Sequence, residues 1–201
     1  MTKKKLHFKI FFLANIVLIF FLLCFKAYSD DFVKLGNDEA KVKIKIFSSL
    51  TCPHCANFHK NVVSKIIKNY VNSGKVQLIF IDFPLDQAAL NASKLVNCLS
   101  EDKQIKFLDI IYEKQSEWTS VSNIDEINAN LKKLFNGLGI NSSNFNNCLE
   151  NEDIEKNILN GRIEGQKKYS INATPTIIIN EKKFTGEINF KNIRKVIDKQ
   201  I

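Results

Sequence analysis

Two cysteines separated by two residues, Cys52-Pro53-His54-Cys55, stand where one hydrophobic period hands over to another. Upstream, from Val42 to Phe47, apolar residues alternate with Lys43 and Lys45, the period of two that gives a strand one wet face. Downstream, from Asn57 to Tyr70, the residues Phe58, Val62, Val63, Ile66, Ile67 and Tyr70 fall on one helical stripe. A turn at Gly74 leads to Val76–Asp82, apolar enough to be buried on both faces. The chain therefore opens strand–helix–strand, with the cysteine pair at the turn from strand into helix. That layout points to an α/β fold.

Pro84 ends the second strand, and residues 85–163 read as helix. Leu90, Leu95 and Leu99 mark one segment, and Ile105, Leu108 and Ile111 a second. Ile124, Ile127, Leu131, Leu134 and Leu138 mark a third with three-four spacing, and helix resumes near Asp153 after a Gly and Asn-Ser break. After Tyr169 comes Ala173-Thr174-Pro175 and the β-branched run Thr176–Ile179, then a short strand from Lys183 to Thr185, Gly186 and a final helix from Phe190. The order is βαβ, helical insert, ββα. We expect residues 30–84 and 164–201 to form one α/β domain around a central sheet, and residues 85–163 to be a helical insertion.

The chemistry of the motif follows from its position. Only a thiolate attacks a disulfide, so the first cysteine of such a pair needs a lowered pKa. The first turn of a helix offers unpaired N–H groups and the positive end of the dipole. Pro53 suits that turn, having no N–H to waste and a preset φ. His54 adds stabilisation of a sulfur anion if it is protonated or donates a hydrogen bond. Two intervening residues let Cys55 return to resolve a mixed disulfide with Cys52. A structural disulfide and a zinc site built with His54 and His59 are the competing readings. Neighbouring His and Cys on one helical turn rarely converge on a tetrahedral centre, and no second Cys-x-x-Cys is present, so no metal is expected. His59 is assigned no role. Pro175 precedes a strand directly, where a proline fits a cis bond or a strand start.

The compartment matters to a cysteine. A Lys cluster at Lys3, Lys4, Lys5 and Lys9 precedes an apolar run from Ile10 to Phe25 and then Ala27-Tyr28-Ser29. Residues 1–29 are expected to be a secretory signal cleaved after Ser29, with an uncleaved anchor and a lipoprotein attached through Cys24 as alternatives. All three place the remainder outside the cytoplasm, in the periplasm. The formal charge of +8 loses most of its meaning on this reading, because the first 29 residues hold five lysines and no acid. The lysines that remain are interspersed with Asp and Glu, so nucleic acid is not expected as a partner. Four cysteines follow the signal, an even number suited to two pairs in an oxidising compartment. Cys98 and Cys148, both in the insert, are expected to form a structural disulfide; a relay pair or two inert thiols are the alternatives.

The order of elements, Cys-Pro-His-Cys at a βα junction, a helical insert and a late Thr-Pro before a strand, resembles the DsbA family of thiol oxidases, which have a thioredoxin-like fold. The likeness runs from about Gly36 to the C-terminus and takes in Gly36-Asn37, Phe83-Pro84-Leu85 and Gly186. The resemblance implies that Cys52 is the nucleophile, Cys55 the buried resolving thiol, and Thr174–Pro175 a cis-proline loop where an extended substrate strand pairs. Several family members carry a buried carboxylate six residues before the first cysteine; here that residue is Ile46, leaving water, Asp82 or nothing to shuttle a proton to Cys55. The best-known oxidases have Val where this chain has Thr174, and threonine there also occurs in disulfide isomerases. Those isomerases are dimers built through an extra N-terminal domain, so the resemblance implies a monomeric oxidase.

The function expected is that of an exported enzyme donating the Cys52–Cys55 disulfide to unfolded, cysteine-containing proteins. A DsbB-like membrane protein would re-oxidise it, and no cofactor beyond the redox-active disulfide is needed. The alternatives are an isomerase or reductase, and a chaperone-like binder of unfolded exported proteins.

Overall fold

The structure, a computed structural model, describes residues 32–139 and 142–201, the side chains of 142 and 143 excepted. The segment expected to be a signal lies outside the described residues. A five-stranded sheet runs in the order β1-β3-β2-β4-β5. Its strands are β1 (Val33–Leu35), β2 (Val42–Ser48), β3 (Val76–Asp82), β4 (Thr176–Ile179) and β5 (Lys182–Lys183). β2 and β3 are parallel, in register from Val42↔Val76 to Ser48↔Asp82, and a parallel pair requires a crossover connection. The helical run that starts with the motif supplies it. The other three pairings are antiparallel.

β1 has no counterpart in the sequence reading. It spans three residues at the sheet edge, too few to display a period. The crossover helix also differs from expectation in its pitch. It begins as α1 (Pro53–Phe58), passes through a π turn at His59–Val63, a short α2 (Ser64–Ile66) and a second π turn at Ile67–Val71. The wider turns change which residues face inward: Val71 is buried beside Tyr70, whereas Ile67 is only half-buried.

The two faces of the sheet build two apolar layers, as a period of two demands. Ile44, Ile46, Leu78, Phe80, Ile177 and Ile179 face the motif helix and the C-terminal α9 (Phe190–Asp198), whose Ile193 and Ile197 are fully buried. Phe47, Ile79, Ile81 and Ile178 face the other way, with Phe83 and Ile171. Gly165 closes that second layer. A Cβ there would stand 2.5 Å from a Phe47 ring carbon, so only glycine lets its helix lie directly on the ring.

That helix is α8 (Glu152–Tyr169), the last of the six described between β3 and β4. The others are α3 (Gln87–Asn97), α4 (Glu101–Glu113), α5 (Gln115–Trp118), α6 (Ile124–Asn136) and α7 (Ser142–Leu149). Side-chain caps start three of them: Asp86 for α3, Asn123 for α6 and Asn151 for α8. Their core is aromatic, with Phe107, Phe135 and Phe145 packed edge to face in series and Trp118 only 1% exposed. A disulfide joins Cys98, at the end of α3, to Cys148 in α7. α8 runs straight through the boundary expected at 163–164. It is one helix because its capped start belongs to the insert while Gly161 and Gly165 pack on Phe32 and Phe47 beside the sheet. No local sequence signal marks such a division.

Candidate active site

Cys52 is the N-cap of α1. Its backbone is extended, and its carbonyl accepts the first helical bonds from Cys55 N (3.0 Å) and Ala56 N (3.2 Å). Pro53 occupies the first turn, as its missing N–H predicts. Cys52 is partly exposed, and Cys55, one turn inside, is 1% exposed. The two sulfurs are free thiols with opposite electrostatics. Burial would raise the Cys52 pKa, but the nearby Thr174 side chain, the backbone N–H and thiol of Cys55, and the His54 N–H outweigh it. The pKa lies below the ordinary thiol value. Burial dominates at Cys55, and the neighbouring Cys52 adds to it, so its pKa is pushed up to about 12.

The sheet brings in the second half of the site. Phe47 in β2 pairs with Thr176 in β4, so the two strands leave the sheet at the same end. β2 continues into the cysteine turn, and β4 begins just after Pro175. The Thr174–Pro175 peptide is cis, and the Cys52 thiol donates to the Thr174 carbonyl at 3.5 Å, across 122 positions of sequence. The Thr174 hydroxyl is buried with no partner at hydrogen-bond distance. The Thr174 side chain acts to lower the pKa of both thiols.

Around the cysteine turn lie groups the sequence did not flag. Thr51 donates to Asp86 (2.8 Å), the same carboxylate that caps α3. Gln115, buried at the start of α5, donates its amide to Leu50 O (2.8 Å) and Cys52 O (3.1 Å). Asp86 was accessible to a reading of helix starts, since it follows Pro84 and precedes an apolar run. Gln115 was not, because no periodicity ties a residue to a turn 63 positions away.

The remaining expectations are placed as follows. His54 is exposed, and its interaction with Cys52 is through the backbone N–H. Ile46 is buried in the sheet, so no carboxylate occupies that position. Asp82 accepts from Ser93 (2.6 Å) and Asn97 (2.7 Å), and burial raises its pKa. Tyr112 is buried with no hydrogen-bond partner for its hydroxyl, and burial first, then the charge of Cys55, pushes its pKa well above the phenol value. His59 packs on Tyr112 with ring centroids 4.7 Å apart, and its Nε2 lies 2.6 Å from Asp109. Among the described residues no group of three or more His, Cys, Asp or Glu is placed to hold a metal ion. None of their helices is long and apolar enough to cross a membrane.

Residues 29–199 match the family model described as thioredoxin. The chain belongs to the thioredoxin family. Within that family it is similar to the crystal structure of alpha-DsbA1 from Wolbachia pipientis, with a TM-score of 0.76 and 28% identity over 89% of this chain and 94% of that one. It is also 25% identical to disulfide bond formation protein D of Bacillus subtilis (strain 168), over 83% of this chain and 76% of the relative. A Rickettsia prowazekii (strain Madrid E) protein named as a protein-disulfide oxidoreductase is 26% identical over 178 residues. The chain spans 64% of the length of that relative. In this chain an accessible thiol of lowered pKa and a buried thiol of raised pKa stand together, with the Thr174–Pro175 loop beside Cys52.

Proposed function

We propose that the chain is a thiol–disulfide oxidoreductase of the DsbA type, donating a Cys52–Cys55 disulfide to exported proteins. The observation that carries this reading is the divergence of the two thiols in exposure and pKa beside Thr174. In the forward reaction a substrate thiolate attacks Cys52 Sγ of the oxidised pair and the Cys52–Cys55 bond breaks. Cys55 leaves and takes up a proton, which its raised pKa favours. A second substrate thiolate then attacks the substrate sulfur of the mixed disulfide, and Cys52 leaves as a stabilised thiolate. Lower-pKa thiols leave faster, so the second step is the one the site assists. Two electrons pass from substrate to the cysteine pair, and a membrane re-oxidant of DsbB type removes them.

The other assignments belong to the same proposal. Cys52 is the nucleophile and Cys55 the resolving thiol. Pro53 and His54 set the Cys52 pKa, and Thr174–Pro175 is the edge where an extended substrate pairs. Cys98–Cys148 is structural. Residues 30–84 and 164–201 form the redox domain and 85–163 the insertion. The leader delivers a monomer to the periplasm. Thr174, a residue also found in isomerases, supports a second reading as an isomerase or reductase.

Acid quenching of intact cells followed by alkylation separates the two. We expect Cys52 to be recovered mostly as a disulfide. Recovery mostly as free thiol overturns the oxidase reading in favour of the reductant.

A further inference from the structure

The buried side chain of Gln115 carries the insert into the cysteine turn. Gln115 Nε2 donates to two carbonyls on either side of Thr51, Leu50 O at 2.8 Å and Cys52 O at 3.1 Å. Its own backbone is held firmly. Thr119 Oγ1 donates to Gln115 O (2.6 Å), and Trp118, in the same four-residue helix, is buried with its Nε1 bonded to Ile111 O (2.9 Å). We propose that Gln115 is a positioning residue for the Cys52 thiolate, fixing the turn that aims the first N–H groups of α1 at the sulfur. The inference rests on the redox reading of Cys52 and Cys55.

The physical case runs through the turn. Residues 49–52 form no regular ladder; they are held by Cys52 N to Ser49 O (3.2 Å), the Ser49–Thr51 hydroxyl contact (3.2 Å) and the Thr51–Asp86 bond. None of these reaches the Leu50 carbonyl, which accepts from the Gln115 amide. Removing the amide strips the buried Leu50 carbonyl of its donor, and a buried carbonyl left unpaired is destabilising. The turn then gains by rotating to find another donor. Rotation carries Cys52 with it, because Cys52 is both the last residue of the turn and the cap of the helix. The N–H groups of His54 and Cys55, which act to lower the Cys52 pKa, lie in the first turn of α1, so a rotation of the turn weakens both influences together.

The test uses the intact protein and two variants. Gln115→Met keeps length and burial and removes the donors. Gln115→Asn is milder, keeping a buried amide but withdrawing it by one methylene, and is read the same way if the first fails to fold. Thiolate absorbance of the reduced protein is followed against pH, alongside melting temperatures of both redox forms. We expect the proton affinity of Cys52 to rise about three- to tenfold, the worth of one hydrogen bond. The reduced form should lose more melting temperature than the oxidised form. Equal losses in both forms with an unchanged Cys52 titration would reduce Gln115 to a packing residue and overturn the proposal. A wild-type protein whose Cys52 shows no low-pH thiolate would instead overturn the redox reading beneath it, so the two failures are told apart.

Discussion

Cys52→Ala should reduce oxidation of a dithiol peptide to the uncatalysed rate, because no other exposed thiol is available to carry the exchange among the described residues. Cys55→Ala should also lose turnover but behave differently in kind. Its Cys52 keeps an accessible, low-pKa sulfur, so it forms mixed disulfides with oxidised partners and holds them, the internal thiol that would release them being gone. Non-reducing electrophoresis distinguishes the two. Alkylation of the reduced wild type at acidic pH should label Cys52 first, since Cys55 is 1% exposed and its pKa is pushed up to about 12. Labelling of Cys55 first, or mixed disulfides accumulating on Cys52→Ala, would reverse the assignment.

The second large effect concerns stability rather than chemistry. The Cys98–Cys148 bridge closes a loop over a separation of 50 residues. Chain entropy assigns such a loop up to about 4 kcal/mol, roughly 10 °C in melting temperature for a domain of this size. Cys98→Ala/Cys148→Ala should lose most of that, measured by denaturant unfolding with the Cys52–Cys55 pair held in one redox state. Cys52 reactivity should be unchanged. The bridge fastens the C-terminal end of α3, whereas the cysteine turn is held from the other end, through Asp86. An unchanged unfolding midpoint would mean that the bridge serves some other purpose.

The sequence reading reached far into the fold wherever a local pattern determines the outcome. Alternation placed β2, a continuous apolar run placed β3, and three-four spacing placed α6. The Cys-x-x-Cys pair fell at the strand-to-helix turn because only there do an extended cap and a helical first turn meet. β1 escaped because three edge residues carry no period. The π turns escaped because apolar spacings of three to five residues do not separate an α turn from a slightly wider one. Within the site, Cys52, Cys55, Thr174 and Pro175 were legible, while the juxtaposition of Thr174 with Cys52 depended on strand order. Gln115 and Tyr112 were not legible. Each reaches the site from the insert by tertiary packing, which overrides what its own neighbours in sequence signal.

The central claim is that the fold favours the reduced pair, which makes the disulfide an oxidant. The sign follows from the two thiols. The depressed Cys52 pKa stabilises the reduced fold fully above the unfolded thiol value, about 8.5, and the benefit fades as pH falls through the folded value. The raised Cys55 pKa costs nothing at neutral pH, where the unfolded thiol is also protonated. Its penalty begins above about 8.5 and grows toward about 12. Below about 8.5 the depressed Cys52 pKa therefore acts without that penalty, against a disulfide whose short loop constrains the unfolded chain little. The direct measurement is the melting temperature of the oxidised and reduced proteins at pH 7 and again at successively lower pH. We predict that the reduced form melts higher at pH 7 and that the gap narrows as the solution is acidified; an oxidised form that melts higher at pH 7 would contradict the account.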